Sequence, residues 1–425
     1  MANLTEMQRL ERARIEGWSD AQLINHWIET LCARQGGGDL LLGPRRYEID
    51  EPIVLRSGIR LRGEGAVVTV LAATSSLDGP VIISENAEAL EAADAWFASE
   101  GVPTRFSISD LMIDGAEGGI GSAVGSGCGM YLYAKGFEIQ GVQISHMKRH
   151  GLVSTGSARG GQEVWLDEPE ALFDVRISRC GGDGFIMRGP HDSIIRSAII
   201  ALCKGRGLAV ETDGKYNGAC DIEFCHAYGT DGIAIDLQAK IKAGFLQGDT
   251  GRGAGVRIGG SNKTYIDRIE CFKTRGSAED YALDIVAPYT QIGLARVRAD
   301  WGASGVRIAA PGCQIGQIDI DGQRNTGGPL ADTENDTTAL YVRSAHSRIG
   351  SVNIRNFPKG HGIVLERGIA GVDIAGTTRA CSTHLVAHDQ RGTDLRLNMV
   401  LSEGESYTAS PSSADVFALR TLSGG

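Results

Sequence analysis

Three acidic residues, Glu211, Asp213 and Asp236, are the side chains of this sequence best placed for acid–base chemistry. Glu211 and Asp236 each end a short segment that begins with glycine and has apolar residues at its second and fourth positions. If these segments are strands stacked about 4.8 Å apart, the two carboxylates lie side by side, with Asp213 in the turn after Glu211. Neighbouring carboxylates raise one pKa and give an acid beside a base, the arrangement that cleaves glycosidic bonds.

Basic and aromatic side chains occupy the same outward columns as this acidic set. Arginine can hold an anionic sugar or stabilise developing charge, and tyrosine rings are amphipathic surfaces on which sugars stack. The expected substrate-binding residues are Tyr131, Tyr133, Arg188, Arg257, Asp284 and Arg307. The alternative is that the charged residues form solvated cross-strand pairs, which contribute little to stability.

Ten short segments that align on one another position these residues. A representative segment is Gly207-Leu-Ala-Val-Glu211, and most segments begin about 22 to 27 residues apart. Because successive strand side chains point to opposite faces, the second and fourth positions face inward and the third and fifth face outward. In this alignment Ile233 and Ile235 face inward and Asp236 is level with Gly259. A repeat of this length, with a second β-like run before most segments, predicts a β-solenoid.

The N-terminal region carries a further pattern. A glycine run at residues 36–38 leads to an apolar strand, then to Gly43-Pro-Arg-Arg-Tyr47, to Pro52-Ile-Val-Leu55, and to Ser57-Gly-Ile-Arg-Leu-Arg-Gly-Glu-Gly65. This order resembles the entry coil of pectin-lyase-like right-handed β-helix proteins, most of all phage tailspikes and polysaccharide depolymerases; only the Pro-Gly-x-Tyr turn is altered. With the repeat, the resemblance covers residues 36 to 375 and implies an all-β, right-handed parallel β-helix. The superfamily includes lyases, hydrolases, epimerases and tailspikes, so the fold does not fix the activity.

Different structure is expected at the two ends. Residues 1–35 are predicted to form two helices, the second beginning at Ser19 with Gln22 in a capping box. This helix is expected to cover the open end of the solenoid, and a helix in this region is also a possible docking element for a phage tail or baseplate protein. Residues 36–375 are predicted to form about twelve coils, and 376–425 a C-terminal β cap or oligomerisation region. A short helical insertion is expected at residues 86–100.

Composition narrows the functional classes. The net charge of −10 over 425 residues argues against nucleic-acid binding. Nine cysteines without metal-binding spacing predict free, buried thiols in a chain that folds in a reducing compartment. No secretory signal and no run of about 18 apolar residues is found, so membrane insertion is not expected. We expect a location in a phage virion or outside the cell.

The resemblance and the acidic set together predict a carbohydrate-active protein. The leading hypothesis is a homotrimeric, tailspike-like depolymerase that cleaves a bacterial surface polysaccharide with no metal or other cofactor. One alternative is a receptor-binding or structural tail protein without catalysis. Another is a bacterial polysaccharide lyase or epimerase, with Arg188 or Arg257 as base and acidic residues that hold calcium or neutralise a uronate.

Overall fold

The chain folds as a parallel β-solenoid. The computed structural model describes residues 17–93, 101–116, 122–155, 171–189, 192–212, 219–250, 252–260, 263–273, 281–300, 303–322, 337–387, 395–402, 408–409 and 416–421. The chain is all-β with about 12 solenoid turns, which confirms the predicted fold class. It divides into two compact units, Met1–Cys225 and His226–Gly425, which are described separately.

The first unit contains both described helices and the first fifteen strands. The helices are α1 (Asp20–Gln35) and α2 (Ala87–Ala93). The strands are β1 (Gly38–Leu41), β2 (Arg46–Ile49), β3 (Ile53–Leu55), β4 (Ile59–Arg62), β5 (Val70–Ala73), β6 (Ile82–Ser84), β7 (Ser107–Ser109), β8 (Met112–Asp114), β9 (Met130–Tyr133), β10 (Phe137–Ser145), β11 (Leu152–Thr155), β12 (Ala171–Ser178), β13 (Phe185–Arg188), β14 (Ser193–Ala201) and β15 (Leu208–Glu211). Strand β16 (Ala219–Thr230) contains the boundary between the units.

The coils of the first unit change along the chain. At the start, three short strands make one turn, because β1 pairs with β4 and β4 with β7, while β2 pairs with β5 and β5 with β8. Strand β10 then pairs in parallel with both β7 and β8, so one long strand replaces two short ones. The long strand turns the corner at Gly141, whose φ of 63° lies in the region that favours glycine.

The interior follows the predicted alternation. In β13 and β15 the second- and fourth-position side chains, such as Phe185 and Val210, are buried. The Phe185 ring packs on Phe173 with ring centroids 4.9 Å apart. A Cβ at Gly184 would meet the Ile200 side chain and the carbonyl oxygen of Gly207, which explains why the segments begin with a small residue.

Helix α1 confirms the predicted N-terminal cap. The Ser19 hydroxyl accepts from the Gln22 backbone N–H at 3.2 Å, and the Gln22 side chain accepts from the Ser19 N–H. The helix packs against β1 to β4 and buries Leu23, Ile24 and Ile28. The helix predicted over residues 4–16 lies outside the described residues, as does the part of the 86–100 insertion after α2.

The second unit contains the remaining strands. These are β17 (Ile235–Leu237), β18 (Lys240–Thr250), β19 (Val256–Ile258), β20 (Tyr265–Lys273), β21 (Tyr281–Ile285), β22 (Gln291–Ala299), β23 (Ser304–Ile308), β24 (Gln314–Asp321), β25 (Thr338–Val342), β26 (Arg348–Leu365), β27 (Val372–Ala387), β28 (Leu395–Ser402), β29 (Thr408–Ala409) and β30 (Val416–Thr421). Short strands β17, β19, β21, β23 and β25 pair in parallel to form one face. Long strands β18, β20, β22, β24 and β26 form another.

Parallel pairing in the second unit continues past residue 375. That predicted boundary falls inside β27, which pairs with β26 on one side and β28 on the other. Strand β28 pairs in turn with β30. The described part of 376–425 therefore consists of further parallel strands, and the predicted boundary does not coincide with a change in strand pairing.

The cysteines agree with the prediction of free, buried thiols. All nine are unpaired, and only Cys32 is partly exposed. Burial raises the pKa of Cys128 and Cys313 to about 11, so these thiols are poor nucleophiles at neutral pH. Within the described residues, neither helix has the length and apolar character needed to cross a bilayer.

Candidate functional site

The predicted alignment of Asp236 is two residues out of register. Asp236 pairs with Arg257, not with Gly259, while Ile235 pairs with Val256. Ile233, which we expected in the core, is only half-buried. A shift of two residues leaves every side chain on its original face, so the alternating pattern does not reveal the error. The prediction that Asp236 lies beside Glu211 was based on the alignment of Asp236 with Gly259, and that alignment is wrong.

In the second unit, Asp236 begins a column of alternating charge on the short-strand face. The register runs from Asp236 to Arg257, Asp284, Arg307 and then Tyr341. The Arg307 guanidinium donates to both oxygens of Asp284 at 2.8 and 2.7 Å, and its pKa is raised by this hydrogen bond against the opposing effect of burial. Asp236 and Asp284 are 5% and 7% exposed. These carboxylates are built into the structure and are not open to a polymer.

In the first unit, Glu211 lies between two arginines. Its carboxylate is 2.5 Å from Arg206 and 3.5 Å from Arg188, and Arg188 is level with Glu211 on the neighbouring strand. Burial lowers the pKa of Arg206, but its hydrogen bonds to Asp183 and Glu211 outweigh this and raise it overall. Both oxygens of Glu211 are thus engaged by guanidinium groups. Asp213 lies outside the described residues.

Arg206 and Asp183 belong to a ladder of side chains that immediately precede the segment glycines. The Asp183 backbone N–H donates to Nδ1 of His150 at 3.0 Å, and the Arg206 backbone N–H donates to Asp183 at 2.6 Å. Burial lowers the pKa of His150, so the ring is neutral near pH 7 and accepts this bond. The ladder links successive turns, which gives Asp183 a structural role.

The two tyrosines expected to stack on sugars are covered. Tyr131 and Tyr133 do point outward from β9, but they are 6% and 1% exposed. They pack in an apolar cluster with Ala87 and Leu90 of α2. The expectation of exposed stacking platforms is wrong for both residues, because α2 covers this face of the strand.

The long-strand face of the second unit carries a groove that the sequence reasoning did not identify. Its volume is about 670 Å³, and it crosses strands β18, β20, β22, β24 and β26. Four carboxylates and three arginines line it: Asp249, Glu270, Asp319, Asp321, Arg296, Arg298 and Arg355. We call it the charged groove. Its side chains occupy two outward columns, one through Glu270, Arg296 and Asp319 and the other through Arg298, Asp321 and Arg355.

Ion pairs hold the side chains of the charged groove in fixed positions. Arg296 lies 3.5 Å from Glu270 and 3.9 Å from Asp319, one coil to either side. The two oxygens of Asp321 accept from Arg355 at 2.9 Å and from Asn356 at 2.8 Å. These contacts orient the carboxylates while leaving them 23% to 30% exposed.

A further carboxyl, Asp300, contacts a lining residue of the charged groove but does not line the groove itself and is 5% exposed. It follows β22 and pairs with Arg298 through contacts of 3.1 and 3.3 Å. Burial is the main cause that raises the pKa of Asp300; Arg298 opposes it, and the charge of Asp321 adds to it. Arg298 therefore has two carboxyl groups nearby. Asp300, two residues further along the chain, has a raised pKa, and Asp321, which accepts a hydrogen bond from Arg355, is level with Arg298 on the next strand.

Metal ligation has no support in the described residues, where no group of three or more His, Cys, Asp or Glu side chains is arranged to hold an ion. A calcium requirement, expected only for a lyase, stays a prediction.

Comparison with known proteins gives the fold. No model of a protein family matches this chain, and no curated protein sequence matches it. Among solved structures, the pre-mature bacteriophage phi29 gene product 12 aligns with 92% of this chain and 50% of its own, at 14% identity and a TM-score of 0.50. The chain has a parallel β-helix fold.

Two other β-helix structures align less closely. The A-module of a mannuronan C-5 epimerase from Azotobacter vinelandii covers 92% of this chain and 96% of its own, at 15% identity and a TM-score of 0.45. A DFA-IIIase from Arthrobacter chlorophenolicus covers 93% and 96%, at 11% identity and a TM-score of 0.41.

The sequence does contain a signal for the charged groove of this β-helix. The runs ending in Glu270-Cys-Phe272, Arg296-Val-Arg298 and Asp319-Ile-Asp321 alternate charged or aromatic residues with apolar ones. Each run precedes a glycine- or alanine-led segment, and taken alone it predicts only a second strand of the coil. Aligning the long runs with one another, as was done for the short segments, brings these charges into columns.

Proposed function

We propose that this protein binds a polysaccharide in the charged groove and cleaves its glycosidic bonds there. The observation that carries the proposal is a groove across five stacked strands in which exposed carboxylates and arginines stand in register. Long grooves with repeated polar groups suit linear polymers, and arginine–carboxylate pairs fix the groups before substrate arrives. The carbohydrate-processing names of the epimerase and the DFA-IIIase point in the same direction.

In the proposed reaction, Asp321 is the general base, while Asp300, which is 5% exposed, does not reach the polymer and instead orients Arg298. The glycosidic oxygen takes up a proton from solvent as the bond to the anomeric carbon breaks. Asp321 takes a proton from the water that attacks that carbon, so one water is consumed and two chain ends form.

Arg298 is a positioning residue beside Asp321, with which it is level on the neighbouring strand. Its guanidinium contacts Asp300, and its face lies 4.4 Å from the centre of the Phe272 ring. Glu270, Arg296 and Asp319 form the binding part of the groove. The set predicted from the sequence, Glu211, Asp213 and Asp236, remains a second hypothesis for the catalytic groups.

The arginines favour a second candidate activity. Arg296, Arg298 and Arg355 line the groove together, and cations of this kind bind uronate carboxylates. A polysaccharide lyase or epimerase acting on a uronate polymer would use them to neutralise the sugar acid. A receptor-binding tail protein would use the same groove without cleavage.

The test is a screen of purified protein against bacterial capsule and exopolysaccharides. Hydrolysis releases reducing ends without absorbance from an unsaturated product, whereas a lyase produces that absorbance. Binding without either signal supports the receptor-binding alternative. If no bacterial polysaccharide binds or is cleaved, the proposal fails.

The biological setting is also part of the proposal. A tailspike-like homotrimer in a phage virion is the finer assignment, motivated by the match to a bacteriophage phi29 protein. Closed symmetric assembly is the usual state of homo-oligomers. Light scattering should give about three times the 45.0 kDa chain mass. A 45.0 kDa particle at micromolar concentration contradicts the trimer.

A further inference from the structure

A second groove lies on the long-strand face of the second unit, near the beginnings of strands β20, β22, β24 and β26. Its volume is about 470 Å³. Five polar side chains line it: Tyr265, Asp267, Gln291, Gln314 and Arg348. Four of them form one register column, from Tyr265 through Gln291 and Gln314 to Arg348. We call this surface the corner strip.

Glycines form the floor of the corner strip. Gly293, Gly316 and Gly350 are exposed and lie one above another in successive coils. A Cβ on any of them would come within 2.6 to 2.7 Å of the carbonyl oxygen in the coil before, so the corner itself requires glycine. The floor is therefore bare backbone, flat enough for a ligand to approach closely.

The walls of the corner strip have hydrogen-bonding groups that the protein does not use. In the described part of the chain, the side chains of Tyr265, Asp267, Gln291 and Gln314 make no hydrogen bond or ion pair. Tyr265 is 41% exposed, and Arg348 lies 3.9 Å from Asp373. In the charged groove, by contrast, Asp321, Glu270 and their arginines satisfy one another.

We propose that the corner strip is a second glycan-binding surface, which takes an extended segment of a neutral polysaccharide. The two glutamine amides repeat at the strand spacing of about 4.8 Å and offer donors and acceptors to successive sugar hydroxyls. The Tyr265 ring provides the stacking face at one end. A single carboxylate and a single arginine give the strip little net charge, so a polyanion gains nothing there.

The surface chemistry disfavours a protein partner as the occupant. The isoleucines of the strip, Ile266, Ile292 and Ile315, are 2% to 3% exposed and belong to the core. Tyr265 is then the single exposed apolar or aromatic side chain of the described lining, whereas the buried centre of a protein interface needs a cluster of such anchors. The inference depends on the proposed glycan-binding function but not on cleavage in the charged groove.

The experiment measures binding of six-residue oligosaccharides by calorimetry. The neutral probes are cellohexaose, maltohexaose and laminarihexaose, and the charged probes are hexagalacturonate and hexamannuronate. The variants are Tyr265→Ala and the double change Gln291→Ala with Gln314→Ala. Tyr289→Ala is the matched control, because Tyr289 is 55% exposed but lies in a turn outside the strip. Asp321→Asn tests the charged groove.

We expect at least one neutral probe to bind and Tyr265→Ala to weaken it about two- to tenfold, the usual size of an aromatic contact. The glutamine double variant should also bind it more weakly, while Tyr289→Ala binds as wild type does. The inference is overturned if no neutral probe binds, or if both strip variants bind as wild type does. It is also overturned if the strip variants change the particle mass in light scattering, because the strip is then a contact between copies of the chain.

These outcomes separate the two proposals. If the protein cleaves a polysaccharide but binds no neutral probe, the proposal for the corner strip is wrong and the proposed function is unaffected. If binding is lost only in the strip variants and no polysaccharide is cleaved, the glycan-binding role of the corner strip is supported and the proposed hydrolase activity is wrong.

Discussion

The two faces of the second unit use the same residue types in opposite ways. On the short-strand face, Asp284 and Arg307 form a two-point ion pair in which the Asp284 side chain is 10% exposed. On the long-strand face, Asp321 and Arg355 also pair, but the side chains remain 23% and 59% exposed. Burial, not residue type, therefore separates a structural ion pair from a candidate site. We expect changes on the first face to reduce stability and changes on the second to reduce activity.

The largest expected effect is the loss of cleavage on the long-strand face. Asp321→Asn keeps the shape of the side chain but removes the base, and general base catalysis typically contributes about 10²- to 10⁴-fold in rate. The free energy of unfolding should change by no more than about 0.5 kcal/mol, as for most surface changes. Reducing-end release and urea unfolding measure the two quantities. A variant that folds normally and cleaves at the wild-type rate shows that Asp321 is not the base.

The opposite result is expected on the short-strand face. Asp284→Asn leaves Arg307 without its charged partner, and losing a partly buried, hydrogen-bonded ion pair costs about 1.5 to 3 kcal/mol of unfolding free energy. Urea unfolding should show this loss, while the rate of cleavage per folded molecule stays that of wild type. A stable but inactive Asp284→Asn variant would place catalysis on the short-strand face.

The short-strand face was easier to predict from the sequence than the long-strand face, because its segments carry the stronger residue pattern. The short segments carry glycine and paired apolar residues, because stacked coils leave no space for a larger first residue, as at Gly184. This strong pattern revealed the fold and the outward columns. It could not fix the register of Asp236, since a shift of two residues preserves the alternation, nor could it show that α2 covers Tyr131.

The charged groove and the corner strip depend on contacts between coils. Arg296 meets Glu270 and Asp319 only because three strands far apart in sequence lie in register. The pKa of Asp300 depends on burial, which no local pattern reports. On both faces, the sequence therefore predicts which side chains point outward. It does not predict how exposed those side chains are, and their exposure decides which of them can contact a ligand.

A smaller effect sharpens the role of Asp300. Its pKa is raised in the folded protein, mainly by burial, so the folded state favours the protonated carboxyl. The associated stability is fully present below the unfolded pKa of about 3.9 and is lost as the pH rises through the folded value. Asp300→Asn should therefore be more stable than wild type at pH 7, and this advantage should shrink on acidification toward pH 3. Urea midpoints across this range measure it, and an Asn variant less stable at pH 7 contradicts the assignment.

The smallest effect is expected outside the second unit. Glu211→Gln should leave cleavage unchanged, because both of its oxygens are engaged by Arg206 and Arg188. Reducing-end release at saturating polysaccharide measures this. A loss of about 10²-fold or more in a folded Glu211→Gln variant would return the catalytic role to the residues predicted from the sequence.

The most direct test compares Asp321→Asn and Asp284→Asn in one experiment, on the polysaccharide that wild type cleaves. Cleavage rate is measured at a temperature at which circular dichroism shows both variants to be folded. The account predicts that Asp321→Asn loses cleavage and keeps stability, whereas Asp284→Asn loses stability and keeps cleavage. The reverse result, with activity lost at Asp284 and retained at Asp321, would contradict the assignment of the charged groove as the site of the reaction.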